Sequence, residues 1–93
     1  MKEHEIIIWD EDAERIKECE TNLRVALARM GIDAEVKGYS EFPLLTRNNV
    51  MGYTPSIQVD GGKMWQHTIG VAVTAEQFEG LIRRLRKLGE IDF

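Results

Sequence analysis

The most restrictive feature of the sequence is the segment spanning residues 50–62, in which a Thr-Pro step precedes an alternating run and a Gly-Gly pair. Because proline has no amide hydrogen for a β ladder, Pro55 has to lie at the first residue of a strand, on an edge or in a bulge. Beyond it, Ile57 and Val59 point to one face of the strand, and the polar residues that alternate with them point to the other. The two glycines at 61–62 supply the positive φ angles of a tight hairpin. The segment therefore predicts a strand that begins just after Pro55 and leads into a hairpin turn.

The first strand and helix are predicted from the N-terminal third of the chain. Residues 6–9, Ile-Ile-Ile-Trp, form a continuous apolar run that is typical of a central strand covered on both faces. Three acids follow and suit the positive end of a helix dipole, with Asp10 or Asp12 as the N-cap. Apolar side chains then recur at spacings of three and four over residues 13–30, which predicts an amphipathic helix that Gly31 ends.

A second strand and a short helix come next. Apolar and charged residues alternate over residues 32–37, and the short connection from the preceding helix indicates a right-handed βαβ unit with parallel pairing. Ser40 is the expected N-cap of a short helix that runs to about Arg47, and Pro43 fits only in its first turn.

The C-terminal part predicts the return strand of the hairpin at residues 63–69 and a last helix after it. Thr74 and Gln77 make a capping box for that helix. Its expected core stripe consists of five apolar residues: Phe78, Leu81, Ile82, Leu85 and Leu88. The chain, residues 1–93, is thus predicted to be one α/β domain with the order β-α-β-α-β-β-α.

This order, with a Thr-Pro step opening the third strand, resembles the minimal thioredoxin fold. The similarity is greatest to the small prokaryotic redox-active disulfide proteins and covers residues 6–88. It rests on Met-Gly-Ile-Asp-Ala-Glu-Val at 30–36, on residues 54–55 with Val-Asp-Gly at 59–61, and on the approach to the last helix at 70–74. The resemblance implies a four-stranded mixed sheet flanked by helices on both faces.

The chain differs from these relatives at the redox motif. Thioredoxin relatives carry Cys-x-x-Cys just after the first strand, at a helix N-terminus where the dipole and free amides stabilise a thiolate. An ungapped alignment from Trp9 to Gly31 places Ala13 and Ile16 at the two cysteine positions. The carboxylates nearby would raise the pKa of any thiol brought close. We therefore expect a binding or accessory module that lacks the dithiol centre, with no other catalytic constellation in its place.

Cys19, the only cysteine, leaves an alternative open. It could act as a monothiol nucleophile or redox sensor, which would make the protein a thiol-disulfide oxidoreductase. Its position on the apolar stripe, two turns into the helix, instead favours a thiol packed in the core. One cysteine also excludes an internal disulfide, so the expected location is the reducing cytoplasm.

A binding groove is implied by the resemblance. In thioredoxin relatives, the groove beside the cis-proline accepts an extended peptide through main-chain hydrogen bonds, a form of β-strand addition. The matching positions here are Tyr53, Thr54 and Pro55, with Trp9 and Asp12 across the groove. The alternative is that the Thr-Pro step only shapes the turn.

A second binding surface is suggested by Met64 and Trp65 on the expected edge strand. Large aromatic side chains contribute strongly to interfaces, so these residues could form a homodimer contact and make the protein a structural oligomer-forming subunit. Alternatively, Trp65 packs under the last helix.

Charge and motifs argue against several other functions. The formal charge of −4 argues against nucleic acid and anionic membrane surfaces as partners, and no apolar run approaches the roughly 20 residues of a membrane span. The acids at 10–12, with His4 or His67, suggest a metal site at first sight. Three consecutive acids cannot all face one ion, however, so we expect neither a metal nor a cofactor.

Overall fold

The structure is a computed structural model that describes residues 4–48 and 50–92. Its elements in chain order are β1 (His4–Trp9), α1 (Ala13–Met30), β2 (Ala34–Tyr39), α2 (Phe42–Arg47), β3 (Ser56–Val59), β4 (Met64–Gln66) and α3 (Ala75–Lys87).

The strands form one open, mixed sheet in the order β2-β1-β3-β4. β1 pairs in parallel with β2, while the β1–β3 and β3–β4 pairs are antiparallel. The α/β class, the four strands and the three helices are thus as predicted. The parallel pair follows from the connection through α1, because a strand that returns by way of a helix enters the sheet in the same direction.

Helix α1 has the predicted bounds, and its two caps explain them. The Asp12 carboxylate accepts hydrogen bonds from the amides of Glu14 and Arg15 at 3.0 and 3.2 Å, which satisfies two of the unpaired donors at the helix start. At the other end, Gly31 adopts the left-handed conformation with φ 67°. The Ile32 amide then donates to the Leu27 carbonyl at 2.9 Å.

This C-terminal cap corrects the predicted start of the second strand. Because Ile32 completes the helix cap, it does not enter the sheet, and β2 begins at Ala34 instead. The following helix also begins later than expected. α2 has Glu41 rather than Ser40 as its N-cap residue, and Pro43 lies in its first turn as predicted.

The β3–β4 hairpin turns one residue earlier than the Gly-Gly pair suggests. The positive φ angles belong to Asp60 (49°) and Gly61 (71°), and the Gly62 amide closes the turn on the Val59 carbonyl at 3.0 Å. An Asp-Gly pair favours this kind of turn because aspartate tolerates the left-handed region. Asp60 is also held by Glu5, whose amide donates to its carboxylate at 2.8 Å.

β4 is shorter than the predicted strand at 63–69. It ends at Gln66, and the chain then bends so that the Val71 amide donates to the Thr68 carbonyl at 3.1 Å. Gly70 has φ 78° in this turn. In α3, the Thr74 capping box is confirmed, but Leu88 is 60% exposed because the helix ends at Lys87.

Alternate residues of β1 contribute to two separate apolar clusters. Ile6 and Ile8 belong to the main cluster with β3, α1 and α3, whereas Ile7 and Trp9 belong to a second cluster with residues of α2. The core of the main cluster contains these buried residues: Ile6, Ile8, Ile16, Cys19, Leu23, Ala26, Leu27, Ile57, Val59, Val73, Phe78, Ile82 and Leu85. Among the described residues, no helix is both long and apolar enough to span a membrane.

Candidate functional site

A buried ion pair lies directly after β1, where the resemblance would place a redox centre. Asp10 is fully buried, and the Arg15 guanidinium binds it with both ends, Nε to Oδ2 at 2.6 Å and Nη2 to Oδ1 at 2.7 Å. The Asp12 amide donates to the same carboxylate at 3.0 Å. The hydrogen bond to Asp10 is the main cause of a raised pKa for Arg15. This bidentate pair of charge-assisted hydrogen bonds fixes the first turn of α1 to the end of β1.

The ion pair continues into a network that joins three segments of the chain. Arg15 Nη1 donates to the Gly70 carbonyl at 3.4 Å, and the Gly70 amide donates to the Thr54 carbonyl at 3.0 Å. The Thr54 hydroxyl in turn donates to Glu11 Oε1 at 3.2 Å. We call these five residues, Asp10, Glu11, Arg15, Thr54 and Gly70, the polar junction. The peptide bond between Thr54 and Pro55 within it is cis.

The three acids after β1 thus have three different roles. Asp10 is buried against Arg15, Glu11 accepts from Thr54, and Asp12 caps α1. Of the two predicted N-cap residues, Asp12 is therefore the cap, and Asp10 is buried against Arg15 instead. Within residues 4–48 and 50–92, no group of three or more histidine, cysteine or acidic side chains is placed to hold a metal ion.

The two positions aligned with the redox cysteines differ in environment. Ala13 is the first residue of α1 and is exposed, whereas Ile16 is 7% exposed and packs in the main cluster. Arg15 lies between them in the sequence, and its side chain forms an ion pair with Asp10. The four residues that the resemblance aligns with the dithiol motif thus include Arg15, whose side chain is paired with Asp10.

Cys19 is sealed within the main cluster. Its side chain has no exposed surface, and its Sγ accepts a hydrogen bond from the Val73 amide at 3.4 Å. Burial raises the pKa of this thiol, because the thiolate would lose its hydration. A protonated and inaccessible thiol is a poor nucleophile, so the placement of Cys19 favours the core interpretation.

The five residues of the implied groove are only partly accessible. Tyr53 is 51% exposed and Asp12 is exposed, whereas Trp9, Thr54 and Pro55 are buried. The carbonyls of Thr54 and Pro55 already accept hydrogen bonds, from Gly70 at 3.0 Å and from the His67 amide at 3.2 Å.

Trp9 packs in the second cluster against Tyr39, with their ring centroids 5.1 Å apart. Its indole ring is thus committed to the fold and does not line an open groove across from Tyr53.

Three large side chains next to the polar junction are accessible instead. Tyr53 precedes Thr54, and Ile69 and Val71 flank Gly70; they are 51%, 63% and 50% exposed. The hydrogen bond between Thr54 and Gly70 brings these chain segments together. We call Tyr53, Ile69 and Val71 the apolar rim.

Ile69 lies beyond the end of β4 and not in the predicted strand at 63–69, which is why it is not among the surface residues predicted from the sequence. The available signal was a glycine flanked by two β-branched residues, which is an unusual composition for an exposed turn.

Met64 and Trp65 both pack within their own chain. Met64 is half-buried against the second cluster, and Trp65 is half-buried against the main cluster. The guanidinium carbon of Arg84 in α3 lies 5.9 Å from the centroid of the Trp65 ring. Trp65 therefore lies beneath the last helix.

No protein-family model matches the chain, and no curated protein is significantly similar to it.

Proposed function

We propose that the chain is a minimal thioredoxin-like domain of the cytoplasm that has lost its dithiol centre. The strand order and the parallel and antiparallel senses of the sheet support this relationship. The alternation of β1 between two apolar clusters supports helices on both faces, because Ile6 and Ile8 meet α1 and α3 while Ile7 and Trp9 meet α2.

The proposed function is that of a binding or accessory module for a protein or an extended peptide. The observation that supports it best is the apolar rim, since three accessible apolar side chains belong to the direct sequence neighbours of Thr54 and Gly70, which are hydrogen-bonded to each other. Single exposed apolar residues are common, but grouped ones mark interaction surfaces.

The polar junction suits this function because it holds the rim in place before a partner arrives. Arg15 and Thr54 both bind Gly70, so the segments that carry the rim are tied to α1 and to each other. A preorganised surface binds with a smaller loss of conformational entropy. Burying the exposed half of each rim side chain contributes roughly 1 kcal/mol, so the partner has to add hydrogen bonds or further contacts for stable binding.

The two alternative functions depend on side chains that are fully or partly buried. Cys19, which thiol exchange requires, has no exposed surface. Met64 and Trp65, which the oligomer requires, are half-buried in the clusters of their own chain.

The test is selection of ligands from a library of random linear peptides, followed by mapping on the amide NMR spectrum. We expect selected peptides to be rich in apolar residues and to shift the amides of Tyr53, Ile69 and Val71. Ile69→Asp should abolish binding without unfolding the domain, because the side chain is 63% exposed. Val25→Asp is the control, since Val25 is an exposed apolar residue on α1. Peptides whose binding survives Ile69→Asp would contradict the proposal.

A further inference from the structure

A cavity of about 420 Å³ lies between the hairpin strands and α3, away from the polar junction. Its lining includes Trp65 and His67 from the hairpin side and Gln77, Gly80, Leu81 and Arg84 from the helix. Ligand cavities in proteins are typically 300–1,000 Å³ and combine apolar walls with a few converging polar groups. Both features are present here.

The charge of the cavity comes from Arg84. This guanidinium lies over the face of Trp65, 5.9 Å from the ring centroid, and no ion pair within the described residues uses it. A cation–π contact uses none of the N–H donors of the guanidinium in a hydrogen bond. Arg84 thus presents a positive charge and donors beside an aromatic surface, and nothing described in the chain neutralises that charge.

A second polar residue of the lining, Gln77, has an unused hydrogen-bond donor. Gln77 uses its side-chain oxygen to accept from the Thr74 amide at 2.9 Å, which leaves its NH₂ group as a donor. His67 also lines the cavity, but its Nε2 atom is buried and does not face a bound molecule.

The absence of a side chain at Gly80 leaves space in the cavity. The α3 residues of the lining, 77, 80, 81 and 84, recur at helical spacing and so share one face of the helix. A Cβ atom added at Gly80 would meet nothing within 4 Å. Glycine is less favourable than alanine inside a helix. Neither helix stability nor a close contact with a neighbouring atom therefore explains a glycine at this position.

We propose that this cavity binds a small aromatic carboxylate. The carboxylate pairs with Arg84, and the ring packs against the apolar wall formed by Trp65 and Leu81 in the space left by Gly80. The inference is independent of the apolar rim, because no rim residue lines the cavity.

The probe is 1-naphthoate, with its uncharged analogue 1-naphthylmethanol as the comparison. The chain has two tryptophans, Trp9 and Trp65, so two indole N–H signals in the NMR spectrum report on two separate places. We expect 1-naphthoate to shift the Trp65 signal in a saturable way, with a dissociation constant of about 1 mM or tighter. The Trp9 signal should stay in place, and the uncharged analogue should bind at least about tenfold more weakly.

Substitutions assign the binding to the cavity. Arg84→Gln should weaken 1-naphthoate about tenfold or more, whereas Lys87→Gln, which removes the same charge from the same helix outside the cavity, should leave the affinity unchanged. Gly80→Leu should block binding by filling the space. Gly80→Ala, which is expected to fold at least as well as the parent, should reduce the affinity less.

Four results would overturn the proposal. They are an absence of a saturable Trp65 shift, equal affinity for the charged and uncharged probes, equal losses from Arg84→Gln and Lys87→Gln, and full affinity in a folded Gly80→Leu variant.

Discussion

Replacing Arg15 with methionine should destabilise the domain far more than an ordinary arginine substitution. The change leaves the Asp10 carboxylate fully buried and removes two charge-assisted hydrogen bonds of 2.6 and 2.7 Å. Breaking a buried ion pair by removing one partner costs about 3–5 kcal/mol. The Arg15 side chain is 18% exposed, so water can enter after the substitution, and we expect the lower value, about 3 kcal/mol.

A loss of this size is a large share of the total, because a domain of 93 residues is stable by roughly 5–14 kcal/mol. It should lower the melting temperature by roughly 12–24 °C. Urea unfolding followed by tryptophan fluorescence measures it directly. Arg24→Met is the matched control, because Arg24 is 59% exposed and 3.6 Å from Glu20; it should cost about 0.5 kcal/mol or less. Equal losses from the two variants would refute the role given to the Asp10–Arg15 pair.

Three further changes have expected outcomes that urea or thermal unfolding can measure. Gly38→Ala should cost about 1–3 kcal/mol, since its Cβ would lie 2.5 Å from both Ile16 Cγ2 and Glu20 Oε1; an unchanged stability would mean that α1 and β2 pack less closely than described. Gly80→Ala should instead stabilise by about 0.5–1 kcal/mol, because the added Cβ meets open space on a helix, and a loss would contradict this. Burial raises the pKa of Cys19, so the unfolded chain releases the thiol proton first, at about pH 8.5, and stability present below that pH should fall by up to about 1.4 kcal/mol per pH unit above it. In Cys19→Ala the free energy of unfolding should not show this loss above about pH 8.5. An equal pH dependence of the unfolding free energy in the two proteins would count against a buried thiol.

The parts of the fold that were predictable depend on signals local in sequence. The bounds of α1 follow from an aspartate cap, an apolar stripe and a glycine in the left-handed conformation, all within one segment. The capping box of α3 is equally local, since Thr74 and Gln77 are three residues apart. The hairpin turn was misplaced by one residue because Asp60 can also adopt a positive φ angle, and the cross-strand bond from Glu5 holds it there.

The candidate site was less predictable because its contacts join residues far apart in the sequence. Arg15 reaches Gly70 across 55 positions, and Thr54 reaches Glu11 across 43. The hydrophobic periodicity of a sequence carries no information about contacts between residues so far apart. The burial of Asp10 depends on Arg15 folding back over it, and three consecutive acids give no indication of which one will be buried.

We propose that this domain works by binding and not by thiol chemistry, and the labelling rate of Cys19 with a thiol reagent tests this. The rate is compared between the native protein and the protein unfolded in urea. We expect the native thiol to react only when the domain opens, at least about a thousandfold more slowly than the unfolded chain, because opening the main cluster costs most of the stability. A native rate close to that of the unfolded chain, with an apparent pKa below about 8.5, would refute the binding proposal and make a monothiol redox function the better explanation.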